Sequence, residues 1–306
     1  MTGGAGFIGS NIVEELIKRR HSVRVLDNFS TGKRENIALF LKDIDVIEGD
    51  IRDIKTCFKA VRGVDYVLHQ AALPSVPLSL QDPIATTDIN INGTLNILIA
   101  SRDAKVKKFV FASSSSIYGD EPTLPKIEGQ EGRPLSPYAV SKFAGEKYCQ
   151  VFSSVFGLST ISLRYFNVFG PRQDPKSQYA AVIPHFISGM LKGKKPTIYG
   201  DGEQTRDFSY VSNIVEANLL ASAVAGYSGE AFNLACGEKT TVNGLVEKIN
   251  SILGVNIKPI YAPPRPGDIL HSYADISNAE QALNYHPLVN FEDGIRNTIE
   301  WYKKQE

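Results

Sequence analysis

The sequence predicts an α/β architecture, a doubly wound parallel sheet with a smaller α/β domain interleaved into its second half. Three observations carry that expectation. A glycine-rich turn, Thr2-Gly3-Gly4-Ala5-Gly6-Phe7-Ile8-Gly9-Ser10, leads straight into a helical pattern. Short β-branched and aromatic runs then alternate with helical periodicity, as parallel strands joined by covering helices do. Beyond Asn167 the runs shorten and polar loops lengthen, with one more helix and strand, 213–225 and 231–234, returning to the sheet. The domains expected from this are 1–168 with 207–235, and 169–206 with 236–306.

Taken in order, Ile8, Ile12, Leu16 and Ile17 recur at helical spacing after the glycine turn. The spacing of Gly3, Gly6 and Gly9 suits a tight turn, close approach of backbone to a pyrophosphate, and close helix packing with the helix N-terminus facing the phosphates. Val23-Arg24-Val25-Leu26 follows as a strand and ends in Asp27, where an acid accepts hydrogen bonds from an adenosine ribose. An acid there repels a 2′-phosphate, which favours NAD over NADP; the competing reading is an Asp27 that merely caps a loop. A dinucleotide fold also calls for a strand before the glycine turn, and only Met1 and Thr2 stand there. The first strand of this Rossmann-type sheet is therefore expected to be truncated, leaving neighbouring strands with unpaired backbone. A version with an added apolar strand should then melt higher, and equal melting temperatures would refute this.

The alternation continues with Val46-Ile47-Glu48 and a helix through Val61 that Asp53 caps. Asp50 falls at a strand's carboxyl end, where open α/β sheets bind ligands. Val64 to His69 reads as a strand, and the small side chains of Gln70-Ala71-Ala72 let a cofactor approach the backbone; His69, with no acid or metal partner in sequence, reads as structural. Pro83 to Arg102 is largely helical, Val106 to Ala112 a strand, and Ser113 to Ser116 follow it directly. Ser136 then caps a helix with Pro137 at its first position, which sets Tyr138 and Lys142 four apart on one face. An ammonium beside a phenol lowers the phenol's pKa from about 10, the direction a general base needs. Alone, that pair also fits an amphipathic helix with a rim aromatic and a solvated lysine. With a serine run at the end of the preceding strand, a hydroxyl and a phenol converge on one substrate oxygen.

Composition sets the bounds. The 306 residues, 42% of them hydrophobic, suffice for a packed core, and 33 basic against 33 acidic side chains leave no bulk charge to hold nucleic acid or a membrane. Cys57, Cys149 and Cys236 lack metal-ligand spacing and fit a reducing compartment. No apolar run approaches the roughly 20 residues of a membrane span, and no signal peptide opens the chain, so a cytoplasmic location is expected.

The chain resembles the extended short-chain dehydrogenase/reductase family through the glycine turn, Asp27-Asn28, Gly49-Asp50, His69 to Ala72, Ser114 with Tyr118-Gly119, Tyr138 to Lys142, Arg164 to Pro171 and Arg206-Asp207-Phe208. Within that family it is most similar to UDP-hexose 4-epimerases, especially those acting on N-acetylated sugars, through Ser75-Val76-Pro77, Gln173-Asp174-Pro175 and His271-Ser272. The resemblance implies that Tyr138 removes the proton of the sugar's 4-hydroxyl, that Ser114 assists, and that Lys142 holds the nicotinamide ribose. It implies NAD bound by Gly3, Gly6, Phe7, Ile8, Gly9, Asp27, Asn28, Asp50, Ile51, Gln70, Ala71, Ala72 and Tyr165 as well as Tyr138 and Lys142. For the UDP-sugar it implies Ser75, Ser115, Asn167, Val182, Tyr199, Arg206, Arg265, Asp268 and Ser272. Related 4,6-dehydratases carry an Asp-Glu pair after the assisting hydroxyl and UDP-glucuronate decarboxylases a Glu nearby; Ser115 and Ser116 stand there, so no acid is present to eliminate water. A bulky residue at the position of Ser272 restricts the pocket to unmodified hexoses, and a small one leaves room for an N-acetyl group. UDP-glucuronate 4-epimerisation and a catalytically impaired binding protein are the alternatives. Family members usually dimerise through the helices of 83–102 and after Ser136, so a homodimer is expected.

Overall fold

A computed structural model describes residues 1–175, 181–264 and 270–305. The first half alternates α1 (Phe7–Lys18), β1 (Val23–Asp27), β2 (Ile44–Glu48), α2 (Ile54–Val61), β3 (Tyr66–His69), α3 (Val76–Gln81), α4 (Pro83–Thr87), α5 (Gly93–Asp103), β4 (Lys108–Ser114), α6 (Pro137–Phe156) and β5 (Thr160–Tyr165). Then come β6 (Val168–Phe169), α7 (Val182–Leu191), β7 (Thr197–Tyr199), β8 (Thr205–Arg206), β9 (Ser209–Tyr210), α8 (Val211–Ala223) and β10 (Glu230–Leu234). The chain closes with β11 (Thr240–Thr241), α9 (Val242–Leu253), β12 (Ile260–Ala262), β13 (His271–Ser272), α10 (Ser277–Leu283) and α11 (Phe291–Lys303).

All strand pairings of the main sheet are parallel: β1 with β2, and β3, β4, β5 and β10 in that order. Residues of β4 and β5 are buried along nearly their whole length, because helices cover both faces, and this is why these strands read as continuous apolar runs. Helix ends follow their sequence signals. The Asp53 carboxylate accepts from the amides of Lys55 and Thr56, and Ser136 Oγ from the amide of Ala139, with Pro137 in the first turn. The long helical stretch after Pro83 runs through to Asp103 but changes its winding partway. A π-turn at Asp88–Asn92 separates α4 from α5 and turns Asn90 inward, where it binds Leu73 and Ser141.

The place of the expected first strand is held by Thr2. It bridges Leu26 of β1 and His69 of β3 in parallel fashion, its amide donating to Leu68 O at 3.1 Å while Gln70 N donates to its carbonyl at 3.2 Å. Leu26 N donates to Met1 O and Gly3 N to Leu26 O. Met1, Thr2 and Gly3 together join the two halves of the sheet.

After β5 the strands are short. β8 lies between β11 and β13, β7 pairs with β12, and β6 with β9. Phe169, Phe208, Tyr210 and Phe291 meet in edge and stacked contacts that fasten this region to the main core. No helix among the described residues is long and apolar enough to cross a membrane.

Candidate active site

The glycine turn forms a cradle that side chains would fill. Gly3 has φ +65°, and a Cβ there would lie 2.7 Å from the amide nitrogen of Ala71; a Cβ on Gly9 would lie 2.0 Å from Gly3 O. No side chain caps the start of α1, which has Phe7 and Ile8 in its first turn, so its N-terminus remains available to an anion. This is the chemistry a pyrophosphate needs, so the residues present fit a dinucleotide. Asp27 is buried, with Oδ2 accepting from Ala5 N and Oδ1 from Phe29 N, both at 2.8 Å. It does cap the following loop, and each carboxylate oxygen retains a second lone pair for a ribose hydroxyl. Asn28 donates to Asp50 at 2.8 Å, and hydrogen bonds from the Arg52 guanidinium hold the Asp50 carboxyl down at about 2. Ile51 is packed so closely against Gly93 that a Cβ there would come within 2.5 Å. Gln70 Nε2 donates to the Tyr165 hydroxyl at 2.8 Å and to Asn218 at 3.1 Å, so Tyr165 is anchored by its phenol.

At the end of β4 the serine run meets α6. The Ser114 hydroxyl accepts from Ser116 N at 3.2 Å and lies beside the Tyr138 phenol, whose pKa it lowers. Lys142 is buried and donates to Ala112 O at 2.8 Å, its ammonium 5.1 Å from the Phe111 ring centre and 6.0 Å from that of Tyr138. Burial raises the Tyr138 phenol above its ordinary value, opposed by the Ser114 hydrogen bond, and brings Lys142 down to about 8. This corrects the expected direction for Tyr138. The cation is engaged by a backbone carbonyl, so desolvation of the phenol dominates. His69 is structural, as expected: its ring nitrogens bond to Thr2 and Thr94, and burial lowers it to about 3, so it is neutral.

Beneath this pair lies a network that sequence reasoning missed. Ser113 Oγ donates to Glu146 at 2.5 Å, and Arg164 donates to both Glu146 oxygens at 3.0 and 2.8 Å, to Glu131, and to the Tyr118 hydroxyl at 2.9 Å. Glu146 and Arg164 are almost fully buried. A signal existed: Glu146 is four residues after Lys142, the next position of the same helical stripe.

A cavity of about 430 Å³ opens beside β6, α7 and β7. Four predicted substrate residues line it together, Asn167, Val182, Tyr199 and Arg206, with Phe208 and with His185 and Gln204, which had not been singled out. Ser272 is the strand partner of Arg206 and is not itself among the residues that line the cavity. Ser75 is engaged as the cap of α3, and Ser115 is half-buried just beyond Ser114. Arg265 and Asp268 lie outside the described residues. Asp207, fully buried behind Arg206, accepts from the amides of Cys236, Gly237 and Ala274, and burial pushes it up to about 6. The described residues contain no cluster of metal-ligating side chains.

A family model described as the NAD dependent epimerase/dehydratase family matches residues 1–235. The chain is 41% identical to a putative UDP-glucose 4-epimerase of Methanocaldococcus jannaschii over 99% of its length and 97% of the relative's. Among solved structures it is similar to the UDP-N-acetylglucosamine 4-epimerase of Methanobrevibacter ruminantium M1 in complex with UDP-N-acetylmuramic acid, with TM-score 0.95, 44% identity and coverage of 100% and 97% of the two chains. The UDP-glucose 4-epimerase of Thermotoga maritima with UDP-glucose gives TM-score 0.94 and 39% identity, covering 99% and 98%. Glycine cradle, sheet order and matched sequence agree: the chain belongs to the NAD dependent epimerase/dehydratase family, and its cofactor is NAD.

Proposed function

We propose that this protein is a UDP-sugar 4-epimerase acting on UDP-N-acetylglucosamine and UDP-N-acetylgalactosamine, and accepting UDP-glucose and UDP-galactose as well. The observation that carries the choice of sugar is Ser272, a small side chain paired with Arg206 where a tyrosine ring would take up space. The relatives named above are described as UDP-glucose or UDP-N-acetylglucosamine 4-epimerases, which supports the reaction and leaves the sugar to the pocket. NAD, when bound, supplies reversible acceptance of hydride at carbon 4. Asp27 and the glycine cradle hold its adenosine and pyrophosphate, while Gln70, Ala71 and Ala72 line its path.

Tyr138 takes the proton of the 4-hydroxyl, and Ser114 shares a hydrogen bond with the same oxygen, so charge developing there is met on two sides. Lys142 keeps a buried positive charge on that helical face. The 4-keto sugar turns over beside Tyr138 and is reduced on its opposite face, with Tyr138 returning the proton. Ser115 and Ser116 offer no acid for elimination, so the ketone's fate is return. Arg206 pairs with the diphosphate, Tyr199 lies along the uracil, and Asn167 and Val182 border the nucleotide. The working form is a homodimer, supported by exposed Ile84, Val140, Val151 and Val155 on the packed helices α4 and α6.

The test is to incubate the purified protein separately with UDP-N-acetylglucosamine, UDP-glucose and UDP-glucuronate and to separate the 4-epimers. Epimers of the first two, with no free NADH released, are expected. Ser272→Tyr should spare UDP-glucose and suppress the acetylated pair at least about tenfold, the scale of a steric rejection in a pocket. Retained acetylated turnover in that variant sinks the gate, and turnover of UDP-glucuronate alone replaces the assignment.

A further inference from the structure

We propose that Glu146 and Arg164 are positioning residues of the epimerase reaction, fixing α6 along β4 so that the Tyr138 phenol meets the Ser114 hydroxyl. The inference rests on Tyr138 as the base. Tyr138, Lys142 and Glu146 follow one another at four-residue steps on one face of α6. Each faces a different residue at the end of β4: Tyr138 lies beside the Ser114 hydroxyl, Lys142 donates to the carbonyl of Ala112 at 2.8 Å, and Glu146 accepts from the Ser113 hydroxyl at 2.5 Å. The strand end is thus gripped at three consecutive residues by three successive turns of helix.

Of the three grips, only the last is locked from a second strand. Arg164 is the register partner of Ser113 on β5, and its guanidinium reaches both oxygens of Glu146. Gly145 lets the helix press close, for a Cβ there would lie 2.4 Å from Phe111 Cζ. With the helix seated this tightly, the direction left for error is a slide along its own axis. A bidentate pair resists that slide, because both hydrogen bonds lengthen together. The catalytic contact is sensitive to it, since a misplacement of about 1 Å costs on the order of a hundredfold in rate. Glu131 also binds Arg164, so a neutral residue at 146 does not leave the guanidinium without an acid. Burying this charge costs solvation, and a hydrophobic pair would pack as well. Geometry at the Tyr138 end accounts for what the cost secures.

The test compares Glu146→Gln, Ser113→Ala and Tyr138→Phe with the parent as NAD-loaded holoenzymes, measuring kcat, KM and the pH profile of kcat. Glu146→Gln should lower kcat by at least about tenfold with KM within about twofold, a loss confined to the transition state. Its acid limb should move to higher pH, because a phenol that has lost the Ser114 hydrogen bond is a weaker acid. Ser113→Ala, which removes one donor and no charge, should change both in the same direction by less, and it decides the matter should Glu146→Gln not fold. An unmoved acid limb with parental kcat per NAD-loaded molecule overturns the proposal. So does a loss seen only in melting temperature or KM. Tyr138→Phe separates the two levels: full turnover in that variant removes the base itself, whereas its inactivity beside an unaffected Glu146→Gln removes the positioning role alone.

Discussion

His69 and Tyr138 show how far a side chain's chemistry departs from its sequence once it is enclosed. The absence of an acid or metal partner near His69 was enough to read it as structural. Its protonation follows from enclosure: burial first, then the field of Lys142, holds it at about 3 against the usual 6.5. The unfolded chain therefore binds a proton between those two values that the folded chain refuses. Stability is full above pH 6.5 and falls on acidification, by up to about 1.4 kcal/mol per pH unit from this residue alone. His69→Gln should flatten that slope between pH 6.5 and 4.5 in urea titrations, and an unchanged slope contradicts a neutral buried imidazole. Tyr138 was legible as a residue and the direction of its pKa shift was not, because spacing along a helix says that Lys142 is near and cannot say that its ammonium turns to the Ala112 carbonyl.

At the scale of elements, signals that act within a few residues were readable. The Ser136 cap, the proline behind it and the Asp53 cap mark where α6 and α2 begin, since each satisfies amides within its own first turn. The π-turn at Asp88–Asn92 was not, because it is set by Asn90 reaching Leu73 and Ser141 from distant parts of the chain. The glycine turn belongs to the readable set, and its geometry makes a sharp prediction. Gly9→Ala would push a methyl into Gly3 O, so α1 must back away from the cradle. We expect copurifying NAD, read from nucleotide released on denaturation, to fall at least about tenfold, the effect of losing roughly 1.4 kcal/mol of binding. Parental NAD content in Gly9→Ala would contradict a pyrophosphate seated there.

For the whole molecule, exposed apolar side chains on α4 and α6 make assembly testable. Val155→Glu and Ile84→Glu should shift sedimentation from dimer to monomer, and a parent that sediments as a monomer rules the dimer out. The parallel sheet was legible because each strand carried its own pattern. The joining of Asn167, Val182, Tyr199 and Arg206 around one cavity was legible only through resemblance, since those residues sit on four segments that no local pattern connects. One consequence of Thr2 concerns how the molecule comes apart. The sheet's halves meet at a seam formed by Met1, Thr2 and Gly3, and the cradle for NAD begins at that seam. Cofactor bound across it acts as a weld, so free NAD should raise the apparent melting temperature in a concentration-dependent way. Stripped of nucleotide, β1 and β3 should exchange their amide hydrogens sooner than β4 and β5, and hydrogen exchange of the two forms would reveal the order of opening.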